Sequence, residues 1–147
     1  MKVLNTLKRF VATCLVALTC TQTSVAGVVV NDTLKSEVLQ SDIPFCVYLP
    51  DGFNRNTEQT FPVLYLLHGL TDNERAWTDK GQMERVADDL MRSGESRKMV
   101  IVMPCAGGQD IHKVWNGYFN MPGWNYEDFF FNELMPAVEK KYRARNT

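Results

Sequence analysis

The chain has 147 residues, with 16 lysines and arginines against 17 aspartates and glutamates, which gives a formal net charge of −1. This length suits one small domain, and the charge balance lacks the clustered positive charge that binding to nucleic-acid phosphates requires. No group of cysteine or histidine residues has the spacing of zinc ligands, so we expect no nucleic-acid partner, no metal and no cofactor.

Residues 1–26 have the three parts of an export signal. Three basic residues lie within the first nine positions, Phe10–Cys20 is a short apolar run, and Ser24 and Ala26 are small residues at the two positions that signal peptidase recognises. The apolar run is too short to span a bilayer. We therefore expect cleavage after Ala26, no membrane span, and a periplasmic or extracellular domain of residues 27–147. A buried N-terminal helix is the alternative.

Cleavage would change both the charge and the cysteine content. The leader holds three basic residues and no acidic ones, so 13 basic and 17 acidic residues remain, a net charge of −4. Two of the four cysteines, Cys46 and Cys105, also remain. Export permits a disulfide, but both lie in apolar strand-like segments, so buried thiols are at least equally well supported.

Residues 28–50 are predicted to form two strands. In the second strand, Phe45, Val47 and Leu49 alternate with Cys46 and Tyr48. Alternation of this kind indicates a strand with two different faces.

The segment Phe61–Trp77, FPVLYLLHGLTDNERAW, organises the rest of the chain. Its five apolar residues, Val63–Leu67, fit a strand buried on both faces. This strand ends at His68-Gly69, and the carboxyl ends of parallel strands deliver loops to functional sites. The alternative is a buried strand with a tight glycine turn and no chemistry. We expect a structural role for His68, which has no serine or carboxylate partner nearby in the sequence.

A helix follows Trp77, capped by Thr78 or Asp79 and ended by Gly94. Its apolar residues recur at i, i+3, i+4, i+7 and i+8, which predicts a core-facing stripe rather than a ligand groove; they are Met83, Val86, Ala87, Leu90 and Met91. Asp88-Asp89 is predicted to face solvent.

Met99–Met103 is a second buried strand, so strand, helix and strand form a βαβ unit with parallel strands. The aromatic segment Asp110–Trp124 follows. It is either a surface loop with aromatic anchors or part of a binding cleft. His112 has no identifiable serine or cysteine partner, so we assign it no catalytic role. A helix begins near Asn125, and Pro136 should kink or break it.

Three sequence segments resemble the putative-esterase family of α/β-hydrolases. They are PVLYLLHGL with Trp77 beyond it, SEVLQSDIPFCVYLPDGF with its VYLP piece, and YEDFFFNELMPAVEKKYR. The family includes S-formylglutathione hydrolases, feruloyl and acetyl-xylan esterases, and mycolyltransferases. The resemblance implies an α/β fold with strand order 1-2-4-3-5. The hairpin, the βαβ unit and the following helix would form the N-terminal half of that sheet.

The resemblance also implies a site and an activity. The backbone N–H of Leu70 would be one oxyanion donor, and the substrate would be a small-molecule or carbohydrate-linked ester with an acyl, acetyl or feruloyl group. The candidate residues of the substrate cleft are Trp77, His112, Trp115 and Trp124.

The nucleophile of this fold lies in a G-x-S-x-G turn, followed along the chain by an acid and then by His. None of the five serines lies in such a motif; they are Ser24, Ser36, Ser41, Ser93 and Ser96. We therefore expect an incomplete domain without the catalytic triad that is inactive alone. The exposed edge of the Val63–Leu67 strand should make it marginally stable or cause it to self-associate. The alternative is a non-catalytic carbohydrate-binding or interaction module that uses residues 110–124.

Overall fold

The computed structural model describes residues 26–54, 58–107 and 117–145. The predicted leader before Ala26 lies outside these residues, and so do His112 and Trp115. Within them the elements are, in chain order, β1 (Val28–Ser36), β2 (Ser41–Leu49), β3 (Phe61–Tyr65), α1 (Ala76–Asp79), α2 (Met83–Ser93), β4 (Val100–Pro104), β5 (Asn120–Met121), β6 (Trp124–Asn125), α3 (Tyr126–Phe129), a π-helical segment (Phe130–Leu134), α4 (Met135–Tyr142) and β7 (Ala144–Arg145).

Five strands form one mixed sheet in the order β1-β2-β4-β3-β7. The hairpin β1–β2 is antiparallel, β2 pairs antiparallel with β4, and β3 pairs parallel with both β4 and β7. The predicted hairpin, the parallel βαβ unit and the strand order 1-2-4-3-5 are confirmed, with β7 in the fifth place. The fold is the predicted α/β arrangement.

Strand β2 separates two cores, as its alternation predicted. Phe45, Val47 and Leu49 join the core on the side of α3 and α4. Cys46 and Tyr48 join the smaller core under α2. Because successive side chains of a strand point to opposite faces, an apolar residue at every position is what a sheet covered on both sides requires.

The prediction that the third strand is buried on both faces is wrong. The strand runs from Phe61 to Tyr65, and Leu64 is 41% exposed. Strand β7 pairs only with Phe61 and Pro62, so the rest of β3 has no neighbour on that side among the described residues. The side chain of Leu64 faces an apolar cavity of about 410 Å³ instead of a packed core.

The apolar stripe of α2 forms one wall of that cavity. Met83 and Ala87 are buried, but Val86 is 47% exposed and Leu90 39% exposed. The prediction of a wholly core-facing stripe is therefore wrong for its outer half, because α2 covers the β4 side of the sheet and does not reach over the edge at β3.

The start of α2 and the role of one of its acids also differ from the prediction. Thr78 and Asp79 belong to the separate turn α1, and α2 begins after Gln82, which has a φ of 48°. Gly94 ends the helix at a φ of 80°, as predicted. Asp88 is half-buried and accepts a hydrogen bond of 2.7 Å from the hydroxyl of Tyr48, so it does not simply face solvent.

A π-helical segment divides the last helical region into α3 and α4, and Pro136 lies in the first turn of α4. Pro136 has no N–H to donate to the preceding turn, and the π-helical segment lies one turn before it, where the register changes. Glu133 in that segment accepts hydrogen bonds from the Ser36 hydroxyl at 2.5 Å and from the N–H groups of Glu37 and Val38 at 3.0 and 3.1 Å. The carboxylate thereby fixes the hairpin turn to the helix. In the part of the chain that is described, no helix is both long and apolar enough to cross a bilayer.

Candidate functional site

The candidate site lies where β3 and β4 end. These strands are parallel neighbours, so their carboxyl ends lie at one edge of the sheet. The chain leaves β3 through Leu67 and His68, and it leaves β4 through Cys105 and Ala106.

His68 joins the two strand ends. Its Nε2 accepts a hydrogen bond of 3.0 Å from the N–H of Ala106, and its Nδ1 lies 2.8 Å from the carbonyl oxygen of Gly69. A ring that accepts at Nε2 carries its proton on Nδ1, which donates to that carbonyl. Both nitrogens are therefore bonded to the main chain, and the structural role predicted for His68 is confirmed.

Aromatic side chains fix the same loops. Aromatic anchors were one of the two alternatives for residues 110–124, but their hydrogen-bond partners were not predicted. The Tyr118 hydroxyl accepts from the N–H of His68 at 2.6 Å and donates to its carbonyl at 3.1 Å. The Tyr126 hydroxyl donates to the carbonyl of Cys105 at 3.0 Å. The indole of Trp124 donates to the carbonyl of Ala106 at 3.1 Å. Side chains thus bond the carbonyls of Cys105 and Ala106 and the N–H of Ala106, as buried main-chain polar groups require.

Trp124 has a bracing function in this cluster. Its ring stacks on that of Tyr126, with centroids 6.4 Å apart, and Tyr126 in turn packs edge-on against Tyr118. Burial raises the pKa of both Tyr118 and Tyr126, so both hydroxyls stay protonated near neutral pH. The segment rich in aromatic residues was visible in the sequence, but its hydrogen-bond partners are distant in the chain.

Leu70 lies in the turn that follows His68. It is 70% exposed, and within the described residues its N–H group has no hydrogen-bond acceptor. The turn is closed by a bond of 3.2 Å from the Asp72 N–H to the Gly69 carbonyl, and Thr71 has a φ of 66°. In the part of the chain that is described, this turn therefore leaves the Leu70 N–H without a protein acceptor, five residues after the end of β3.

Trp77 belongs to a different surface from Trp124. Its indole donates to the carbonyl of Leu67 at 3.1 Å, and its ring lines the apolar cavity between α2 and β3. The structure therefore links Trp77 to the loop after β3 from the α2 side of the sheet.

A second cavity, of about 180 Å³, adjoins Leu67 on the other side. Phe119, 73% exposed, and Phe131, 57% exposed, stand in its wall. The lining is apolar except for one carboxylate and one hydroxyl; it consists of Leu67, Tyr118, Phe119, Glu127, Phe130 and Phe131. Its volume is below the range of about 300–1,000 Å³ that is usual for a whole ligand pocket.

The described residues hold no assembled nucleophile. Ser93 lies at the exposed end of α2, where its hydroxyl contacts the carbonyl of Leu90 at 3.1 Å and the Glu95 carboxylate at 2.9 Å. Cys46 and Cys105 are buried thiols that form no disulfide. Burial raises the pKa of Cys46 to about 11 and also raises that of Cys105, which keeps both in the unreactive thiol form. No cluster of three or more potential metal-ligating side chains occurs in the ranges described.

The strand order and the mixed sheet with helices on both sides define the fold as that of the α/β-hydrolases. The family described as "Putative esterase" matches residues 36–147, and the chain belongs to this family.

Feruloyl esterases are among its similar proteins. An endo-1,4-β-xylanase/feruloyl esterase of Xylanibacter ruminicola is 29% identical over 102 residues, which are 67% of this chain and 14% of that protein. A solved ferulic acid esterase is 50% identical, with a TM-score of 0.76 over 81% of this chain and 46% of the solved chain. The CE1 ferulic acid esterase of Anaeromyces mucronatus, solved with ferulic acid, shares the fold at 22% identity, with a TM-score of 0.67 over 84% and 46%. The present chain thus spans less than half the length of these relatives.

Proposed function

We propose that this chain forms the oxyanion-donor half of an exported feruloyl-esterase-type carboxylesterase. The proposal rests on the Leu70 N–H, which follows β3 and has no acceptor within the described residues, in a chain that is 50% identical to a ferulic acid esterase. The substrates would be esters of aromatic or acetyl acids, free or linked to carbohydrate.

The chemistry assigned to Leu70 is electrostatic. When an ester carbonyl is attacked, negative charge develops on its oxygen, and main-chain N–H groups aimed at that oxygen lower the barrier. A useful donor must be free of other acceptors and held in place. Among the described residues the Leu70 N–H meets the first condition. The hydrogen bonds of His68 with Ala106 and Tyr118, two residues before Leu70, support the second.

The 180 Å³ cavity next to Leu67 is proposed to hold part of the acyl group. Phe119 and Phe131 offer apolar ring surface in the cavity that Leu67, two residues after β3, also lines. Flat aromatic acids would bury apolar area there, and contacts between rings add about 0.5–1.5 kcal/mol per pair. Trp77 lines the cavity on the α2 side and Trp124 braces a loop, so neither enters this proposed acyl site.

The chain printed here is proposed to hydrolyse no ester at an enzymatic rate by itself. Acyl transfer requires a nucleophile, a base and at least two aligned donors, and only one donor is assigned here. Purified residues 27–147 should match the buffer rate with p-nitrophenyl acetate and methyl ferulate. Turnover that is abolished by Ser93→Ala would refute this part of the proposal.

The role of Leu70 is tested in a hybrid. Residues 27–147 are joined to the remaining C-terminal part of the ferulic acid esterase that is 50% identical. Leu70→Pro removes the N–H and should lower kcat about 10²–10³-fold. Leu70→Ala is the matched control, because it removes the side chain and keeps the N–H, and it should stay within about threefold. If Leu70→Pro and Leu70→Ala both fold and have equal kcat, the Leu70 N–H is not an oxyanion donor.

The competing role, carbohydrate binding without catalysis, is tested on the same protein. Trp124 uses its ring and its indole N–H within the fold, which leaves Phe119 as the most exposed ring of the described part of the segment. Titration with xylo-oligosaccharides should show no saturable binding to residues 27–147. Saturable binding that is lost in Phe119→Ala would favour the binding module.

A further inference from the structure

The beginning of β1 meets α2 and β2 at a single carboxylate oxygen. The N–H of Gly27 donates to Oδ1 of Asp88 at 2.9 Å, and the Tyr48 hydroxyl donates to the same oxygen at 2.7 Å. Gly27 and Asp88 are half-buried, and Tyr48 is wholly buried. Three segments far apart in the chain therefore converge at one acceptor.

Only glycine allows this approach. A Cβ atom at position 27 would lie 2.5 Å from both Cζ and the hydroxyl oxygen of Tyr48, closer than real Cβ contacts come. The ring of Tyr48 is 0% exposed and is held by its bond to Asp88, so it cannot move aside easily. At position 27 the fold therefore brings only the main chain, through its nitrogen, into contact with the Asp88 carboxylate.

That nitrogen is also the predicted site of maturation. We propose that cleavage after Ala26 converts the Gly27–Asp88 hydrogen bond into an ion pair that fastens the N-terminus of the mature protein to α2. Hydrolysis adds one water across the Ala26–Gly27 peptide bond. The carboxylate departs with Ala26, and the amine, protonated at neutral pH, remains on the Gly27 nitrogen.

The chemistry at the nitrogen changes in strength as well as in charge. Before cleavage Gly27 offers one neutral donor, whereas an ammonium group offers three donors and a positive charge. Hydrogen bonds between charged groups are roughly twice as strong as neutral ones. The pair is only half-buried, so it avoids most of the desolvation cost of a fully buried ion pair. Removal of the leader during export thereby creates the charged group that pairs with Asp88, and this ion pair stabilises the folded mature protein.

Four other groups face or adjoin this contact. Tyr48 has a raised pKa, through burial first and then through Asp88, so it remains a neutral donor. Asp51 and Arg92 act on Tyr48 with opposite signs. Asp89 is next to Asp88 in sequence, but its carboxylate pairs with Arg92 at 2.9 Å on the exposed face of α2. Asp89 therefore provides a control with the same chemistry and no contact with Gly27.

The test uses the whole chain, expressed with its leader in an exporting host and purified after processing. N-terminal sequencing should begin at Gly27. The α-amine is then acetylated selectively, and urea unfolding is compared before and after acetylation. Acetylation should lower the folding equilibrium constant about tenfold in the wild type and in Asp89→Asn, and less than about twofold in Asp88→Asn.

A second measurement does not depend on a cooperative unfolding transition. The pH dependence of the acetylation rate gives the pKa of the α-amine, which is ordinarily about 7.7–8.0. It should be raised in the wild type and in Asp89→Asn and ordinary in Asp88→Asn. A raised pKa in the folded state means that the added stability is complete below about pH 7.7 and is lost as the pH rises through the folded value.

Three results would overturn the proposal. They are a processed N-terminus at another residue, an equal effect of acetylation in the wild type and Asp88→Asn, and an α-amine pKa that is the same in both. None of these measurements involves ester hydrolysis, so the outcome is independent of the proposed esterase function.

Discussion

Two tyrosine hydroxyls offer a direct test of the hydrogen-bond account of the site. Tyr118→Phe and Tyr65→Phe delete the same atom from two partly buried rings. The Tyr118 hydroxyl bonds both the N–H and the carbonyl of His68, at 2.6 and 3.1 Å. The Tyr65 hydroxyl is buried and has no hydrogen-bond partner among the described residues. The structure therefore predicts a loss of stability from the first change and no loss from the second.

The magnitude follows from what each deletion leaves behind. An orphaned buried polar group costs about 1–3 kcal/mol. Tyr118→Phe orphans two groups, but His68 is half-buried and water can reach part of it, so we expect a loss of about 2 kcal/mol in unfolding free energy. At this chain length that loss lowers Tm by about 8 °C. Tyr65→Phe removes an unsatisfied hydroxyl and should be neutral or stabilising by up to about 1 kcal/mol.

The assay is urea unfolding of the mature chain, followed by tryptophan fluorescence and circular dichroism, with m compared between variants. An unchanged m would show that the change lies in stability rather than in the unfolded state. A loss of less than about 0.5 kcal/mol for Tyr118→Phe, or an equal loss for Tyr65→Phe, would refute the reasoning, because the two hydroxyls would then not differ in their bonding.

Three further predictions concern the whole domain. Burial raises the pKa of Tyr48 and of the other four tyrosines, so the stability they contribute is complete below about pH 10 and falls as the pH rises further; unfolding free energy that is flat from pH 9 to 11.5 would contradict this. The mature chain should self-associate, because the edge of β3 beyond Pro62 is open and the side chain of Leu64 is exposed. Leu64→Lys should shift the protein toward monomer in sedimentation velocity. A wild-type monomer at 100 μM would contradict this prediction. Cys46 and Cys105, buried with raised pKa values, should react with a thiol reagent only as fast as the protein unfolds, and rapid reaction of either in the native state would be the contrary result.

Most errors in the predicted fold lie along the edge of the sheet at β3. The apolar run Val63–Leu67 predicts a strand with both faces covered, yet Leu64 and Leu67 are 41% and 42% exposed. Periodicity reports which side chains are suited to burial, but not which neighbours arrive to cover them. The same reasoning explains α2, where the spacing of the stripe was right and Val86 nevertheless lines an open cavity.

The site was predicted less completely than the fold. Local patterns placed the end of β3 at Leu67, two residues beyond its end at Tyr65. The resemblance supplied Leu70, and the missing partners of His68 indicated its structural role. Aromatic anchors in residues 110–124 were one of two alternatives, but the partners of Tyr118 and Tyr126 were not predicted, because they lie 50 and 21 positions away in the chain. A hydrogen bond across that distance leaves no periodic signal in a single sequence.

The sequence by itself determined the elements and their order. The alternation in β2, the apolar runs of β3 and β4, the helical stripe and Gly94 are local properties of the chain, and sterics and burial act on them locally. Only the tertiary structure decided which polar atoms meet. Asp88 appears in the sequence as one of two solvent-facing acids. In the fold it accepts hydrogen bonds from Gly27 and Tyr48, because the turn between β1 and β2 and the helix packing bring three distant segments to one oxygen.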